Sequence, residues 1–177
     1  KGIGGKVVRF HVLANSDSEA DQTLKLAVRD RVLQEYGDLL EACTSKEETL
    51  AALKNAQQEI SETAEAEVLA QGYAYPVRVS LVREEFPFKK YGDLIFPAGV
   101  YDALRIEIGE AKGKNWWCVL YPQMCYVDAA WGYSTKESHV RLQNTLTKEE
   151  FLVVSAMEQK KVTPKIKCRL VELWSER

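Results

Sequence analysis

The chain has 177 residues, of which 46% are hydrophobic and 28% charged, with a formal net charge of −2. That length suits one hydrophobic core, so residues 1–177 read as a single domain. The slightly acidic balance argues against a general nucleic-acid binder, which needs a basic excess to displace counterions, and no apolar run approaches the ~18 residues of a bilayer span.

The sequence opens Lys1-Gly2-Ile3-Gly4-Gly5 without an initiator methionine. Residues 1–5 are expected to be a flexible start, left after removal of a targeting segment or N-terminal membrane anchor. Lys6 to Ala14 is rich in β-formers and runs into Asn15-Ser16-Asp17-Ser18, a strand followed by a helix start. Ser16 with Glu19 has the capping-box spacing, and Ser18 with Asp21 is the alternative. Leu24, Val28, Val32 and Tyr36 then recur at helical spacing, and Gly37 reads as the break. A second helix is predicted from Thr44 or Ser45, each with a glutamate three residues on, to about Gly72. It carries Leu50, Leu53, Ala56, Ile60 and Ala64 on one face. Both helices are amphipathic and need a covering layer.

After Gly72 the pattern changes to alternation. Val77, Val79 and Leu81 point one way and Arg78 and Ser80 the other, a half-buried strand ended by Phe86-Pro87. Lys89 to Asp93 reads as a turn. Val100 to Ile108 alternates again, Gly109 to Gly113 is a loop, and Trp116 to Tyr121 is an aromatic strand closed by Pro122. Residues 129–146 are polar and aperiodic, a long excursion. Thr147 and Glu150 cap a short helix through Met157, and Ile166, Cys168 and Leu170, with Leu173, suggest a terminal strand. The order β-α-α-β-β-β-α-β implies an α+β fold, a mainly antiparallel sheet with two long helices packed on one face. The other face is then solvated, closed by the excursion, or used for contact.

The chemistry on offer is sparse. His11, between Phe10 and Val12, reads as a lone polar residue on the outer face or a hydrogen-bonded core histidine. His139, in the excursion, reads as solvent-facing. No nucleophile elbow or phosphate-binding loop is present. Cys118 and Cys125 are too far apart for the usual zinc or thioredoxin-like spacing, with no histidine nearby, so no metal and no cofactor are expected. Asp17, Glu19 and Asp21 lack the glycine and terminal glutamate of a calcium loop and favour a helix start. Lys112 and Lys114 read as a hairpin tip rather than a phosphate site.

The four cysteines permit two disulfides or four reduced thiols. Cys118 and Cys125 enclose a turn signal at Pro122, so a local bridge between them is sterically reasonable, whereas Cys43 and Cys168 stand apart. Trp116 and Trp117, adjacent on a strand, must face opposite sides. One belongs to the core, and the other is either covered by a loop or an exposed binding anchor. Asn15-Ser16-Asp17 follows the first strand and Lys112 to Trp117 lies where the third strand turns into the fourth; at neighbouring sheet ends they would make one contact patch of Asn15, Ser16, Asp17, Asn115 and the outward member of Trp116 and Trp117.

Several unusual words occur in order. They are Arg9-Phe10-His11-Val12-Leu13-Ala14-Asn15-Ser16-Asp17-Ser18, Phe96-Pro97-Ala98-Gly99-Val100-Tyr101-Asp102-Ala103-Leu104-Arg105, and the stretch Gly109 to Asp128 with Asn115-Trp116-Trp117-Cys118. Lys25 to Asp30, Tyr75 to Val79, and Phe86-Pro87 with Tyr91-Gly92 agree with them. Together they resemble the stage II sporulation protein R family. The resemblance implies a signalling protein rather than an enzyme, made in the forespore and exported to the space between the forespore and mother-cell membranes. There it would activate a membrane-embedded, aspartic-type peptidase of the mother cell that cleaves the pro-form of sigma-E. An exported family also favours the Cys118–Cys125 bridge. Two other readings compete: a cell-wall or peptide hydrolase built around His11, Asn15 and Asp17, and a structural septal or coat component.

Overall fold

The computed structural model describes residues 2–125 and 136–156. After a 3-10 turn at Ile3–Gly5 come β1 (Val8–Leu13), α1 (Glu19–Glu41), α2 (Lys46–Asn55) and α3 (Gln57–Ala70). The strands β2 (Val77–Phe86), β3 (Lys89–Tyr91), β4 (Leu94–Phe96), β5 (Gly99–Ile108) and β6 (Asn115–Tyr121) follow, then α4 (Lys136–Thr145) and α5 (Lys148–Ala156). The main sheet has the order β2-β5-β1-β6, and β3 with β4 forms a separate hairpin. β1 lies parallel to β5 and antiparallel to β6, while β2 and β5 are antiparallel. The fold is therefore α+β on a mainly antiparallel sheet, as the element order implied.

One face of the sheet carries Val8, Phe10, Val12, Leu104, Ile106 and Ile108, which pack against Leu24, Val28, Val32, Ile60, Ala64 and Val68 of the helices. These are the alternating strand positions and the periodic helix positions read from the sequence, now facing each other. Among the described residues the opposite face is covered at one end only. There Phe86, Tyr101, Ala103 and Val119 meet Leu94 and Phe96 of the hairpin and Leu142, Leu146 and Val154 of α4 and α5.

Several expectations are corrected. α1 runs through Gly37 to Glu41, because Tyr36 and Leu40 continue its buried stripe and outweigh the roughly 1 kcal/mol propensity cost of a helical glycine. Its N-cap is Ser18, whose Oγ accepts from Asp21 N, while Ser16 is used differently. The single long second helix is two, α2 and α3, meeting at Ala56, so three helices rather than two cover the face. The buried stripe is continuous across the joint through Leu53, Ala56, Ile60 and Ala64, which is why the sequence pattern does not reveal it.

Ser45, not Thr44, caps α2, with Glu48 N donating to its Oγ, and the Glu48 carboxylate reaches back to Thr44 N. The turn expected at Lys89 to Asp93 is the β3–β4 hairpin, turning at Gly92 with φ 61°. Within the expected excursion, residues 136–145 form α4, whose buried Ser138 and Leu142 make too narrow a stripe to read as a period. Thr147 and Glu150 do cap α5 reciprocally, at 2.9 and 3.2 Å. The terminal strand at Ile166 to Leu173, Met157 and residues 129–135 of the excursion lie outside the described residues. The expected flexible start includes the Ile3–Gly5 turn, closed by Lys6 N donating to Ile3 O.

Candidate functional site

The sequence placed candidate residues on two loops, and the structure brings those loops together. Asn15 Oδ1 accepts from Glu110 N at 2.9 Å, and Asp17 Oδ1 accepts from Lys114 N at 2.7 Å. Lys112 N and Gly113 N donate to Asn15 O and Ala14 O, so backbone bonds add to the side-chain ones. Ser16 Oγ and Asn15 Nδ2 both donate to the Asp21 carboxylate. Those two hydrogen bonds hold its pKa below the usual carboxylate range, against the pull of burial. Lys25 of α1 completes the fastening by donating from Nζ to Lys114 O at 2.8 Å. Glycine is required here. A Cβ at Gly113 would collide with Ser16 O, and one at Gly109 (φ 60°) with the Asn15 side chain. Asn15, Ser16 and Asp17 thus spend their polar groups on one rigid two-loop corner. Lys112 pairs with Glu110 at 2.7 Å on the exposed tip, as a hairpin tip should.

β6 leaves that corner. Trp116 points to the helix-covered face, edge-on to Phe10 at 5.5 Å and beneath the guanidinium of Arg29 at 4.8 Å. Trp117 points to the other face. It stacks on His11 at 5.0 Å with 11° between the planes, meets Phe86 edge-on, and lies under Lys89 Nζ at 5.0 Å. The opposite-face expectation holds, yet neither tryptophan is fully inside or fully exposed.

His11 is buried and held by rings rather than by hydrogen bonds: neither ring nitrogen has a well-formed partner among the described residues. Of the two readings of His11, the core position is the one observed. Glu84 Oε1 sits 2.6 Å from Nε2, off the bonding direction, and Arg105 holds the same carboxylate at 3.1 Å. Burial, then the Arg105 and Arg9 guanidiniums, lower the His11 pKa to about 4, so the imidazole is neutral at physiological pH. Asn15 and Asp17, the other members of the hydrolase reading, belong to the loop corner beyond the end of β1. Three residues, Val12 to Ala14, lie between His11 and Asn15, about 13 Å of extended chain from one Cα to the other. His139 is not merely solvent-facing, since its Nε2 lies 2.9 Å from Asp93 Oδ2.

Around His11 the cross-strand rows are polar. Ser80, Arg105, His11 and Trp117 occupy one row, and Glu107 and Asn115 stand in the next. Ser80 Oγ, Arg105 Nε, Glu107 Oε2 and Asn115 Oδ1 are buried without hydrogen-bond partners. Alternation put Ser80 and Arg105 on this face. The register that aligns them with His11 depends on strand pairing and is not legible from the sequence.

Sequence reasoning missed Arg9 as a site residue. It is fully buried among Phe86, Tyr91, Phe96 and Tyr101, with ring centroids 4.8–5.6 Å from its guanidinium carbon. It donates to Tyr91 Oη and Cys118 O, and Nη1 has no partner. Alternation gave no signal for it, since Val8 and Phe10 face the helices and Arg9 between them reads as an outward polar residue.

Cys118 and Cys125 form a disulfide with Cα atoms 5.6 Å apart, fastening the end of β6 to the chain beyond the cis Tyr121–Pro122 bond. The Cys43 thiol is free, and Cys168 lies outside the described residues. Among the described residues no group of three or more His, Cys, Asp or Glu could hold a metal ion.

A mixed sheet with one helix-covered face, a fastened two-loop corner and a disulfide-clipped aromatic edge strand defines a small α+β fold. The chain belongs to the stage II sporulation protein R family, whose model matches residues 4–131. That span contains both loops of the corner, all six strands and the disulfide. The chain is also 33% identical over 184 aligned positions to Stage II sporulation protein R of Bacillus subtilis (strain 168), covering 98% of this chain and 82% of that protein. No solved structure matches.

Proposed function

We propose that this protein is an exported signal of endospore formation. It acts between the forespore and mother-cell membranes to activate a membrane-embedded, aspartic-type peptidase that processes pro-sigma-E. The observation that carries this reading is family membership across residues 4–131, together with likeness to a protein named for stage II of sporulation. The locked corner supports a binding role, because its polar side chains are consumed in holding a shape. Asn15, Ser16 and Asp17 set the corner, and Asn115 and Trp117, the tryptophan away from the helix layer, continue it along β6 as the candidate contact surface. No helix of the described residues is long and apolar enough to cross a membrane.

The test is reconstitution: co-express the chain with the candidate peptidase and its sigma-factor precursor, and score cleavage. Cleavage that depends on the chain is the expected result. A precursor left intact, with both other proteins present and folded, overturns the reading.

A further inference from the structure

β6 is an edge of the sheet, with β1 on its inner side. Val119 O turns away from β1 to accept from Met124 N at 3.1 Å, so the chain after β6 folds back over this half of the edge. In an antiparallel ladder both backbone groups of a residue point the same way and successive residues alternate. The N–H and C=O of Trp117 and Asn115 therefore point outward with Val119, and no backbone bond from elsewhere in the described chain reaches them. An edge left open among the described residues is a template for another strand.

The sheet's other edge is guarded. β2 packs beside α3, Gln57 Nε2 donates to its Val79 O, and Arg78 and Glu85 stand exposed along it. At the β6 edge the side chains are receptive instead. Trp116 and Trp117 flank it on opposite faces, and Asn115 Oδ1 is buried without a partner. Lys89 lies over Trp117, and no carboxylate pairs with Lys89 or Lys114 among the described residues.

We propose that the outer edge of β6 from Asn115 to Trp117 is a strand-addition site for an extended, acidic segment of the partner protein. The backbone of that segment bonds to the outward groups of Asn115 and Trp117. Its alternate side chains lie on the Trp117 face, where carboxylates meet Lys89 and an amide or hydroxyl donor reaches Asn115 Oδ1. The inference rests on the signalling reading and names the mode by which that surface engages its partner.

The experiment uses the full wild-type chain, alone and in a detergent-solubilised complex with the co-expressed peptidase, and follows amide hydrogen exchange. Strand addition slows exchange at Trp117 and Asn115 by about ten-fold or more in the complex. A complex that protects other segments and leaves these two amides unchanged overturns the proposal. Two variants add independent readouts. Asn115→Pro removes an outward N–H at the first residue of a strand, where proline is tolerated, and Lys89→Glu reverses the local charge. Each is expected to lower precursor cleavage at least about ten-fold with an unchanged melting temperature. Normal cleavage by both folded variants overturns the proposal, whatever becomes of the signalling reading. If the wild-type chain itself drives no cleavage, the signalling reading falls and strand addition to this partner falls with it.

Discussion

Arg9 donates from Nη2 to Tyr91 Oη across 2.7 Å and from Nε to Cys118 O, and no carboxylate is paired with it among the described residues. A buried guanidinium surrounded by aromatic faces gains cation–π attraction but bears the cost of a desolvated charge. Tyr91→Phe leaves a charged donor unmatched and is expected to cost about 1–3 kcal/mol by urea unfolding. Arg9→Met keeps most of the volume without the charge. It should be near neutral or stabilising, whereas Arg9→Ala, which leaves a cavity, should cost about 2–5 kcal/mol. If Met destabilises as much as Ala, the charge itself is holding the cage together.

The corner makes its own prediction. Gly113→Ala drives a Cβ into Ser16 O, a backbone atom that cannot swing away. The loops must separate, and the bonds from Lys114 N to Asp17 and from Lys25 to Lys114 O should be lost together. A loss of about 1–3 kcal/mol is expected, with faster amide exchange at residues 110–114. Lys25→Met should produce a milder version of the same exchange pattern. Unchanged exchange in both variants would mean that the corner does not depend on these contacts.

Acid should unfold this protein partly through His11. Its pKa is about 4 in the folded chain against 6.5 for an ordinary histidine, mainly because burial disfavours the cation. The Asn115 side chain pulls the other way, but the Arg105 and Arg9 guanidiniums add positive charge beside the ring. Between those two values the unfolded chain binds more protons than the folded one. The contribution is therefore complete above about pH 6.5 and declines as pH falls toward 4. His11→Phe should flatten the urea midpoint between pH 4.5 and 7 while keeping the ring stack on Trp117. His11→Ala should act through folding, since the side chain is buried.

The layered fold was legible because each link in it is periodic. Phe10, Val12, Leu104 and Ile106 alternate on strands, Leu24, Val28 and Val32 recur on a helix, and the two patterns can only bury each other. What escaped was set by pairing or by short elements. The β3–β4 hairpin offers three-residue strands, too short to show a period, and Lys89-Lys90-Tyr91-Gly92-Asp93 looks like a turn. The meeting of Asn15 with Glu110 follows from β1 lying next to β6, a pairing seen only in the structure. The alignment of His11 with Arg105 and Trp117 follows from a parallel β1–β5 register that no local pattern encodes.

The disulfide lies in the span that the family model matches. Closing so short a loop should contribute about 2–3 kcal/mol in the chain-entropy model. Protein made under oxidising conditions should show Cys118 joined to Cys125 in non-reducing peptide maps, with Cys43 alkylated freely. Cys118→Ser with Cys125→Ser should lower the urea midpoint accordingly. Free thiols at both positions in oxidised protein would contradict the bridge.

The two tryptophans separate folding from signalling. Trp116 packs against Phe10 on the face that α1–α3 cover, with Arg29 above it, so its work is structural. Trp117 lies on the face without that helix layer, and one of its contacts is the unpaired Lys89. Alanine at either position should cost roughly 2–4 kcal/mol of stability, because each half-buried ring loses aromatic contacts. The comparison must therefore be made per folded molecule, below the melting temperature of the weaker variant. On that scale Trp116→Ala should activate precursor cleavage as the wild type does. Trp117→Ala should bind the peptidase about thirty- to a thousand-fold more weakly, the usual loss for a truncated aromatic anchor. Trp117→Phe, which keeps a ring against His11, should recover stability but only part of the activation. Equal activation by both folded alanine variants would remove Trp117 from the contact surface and leave the tryptophan pair as a core feature of the fold.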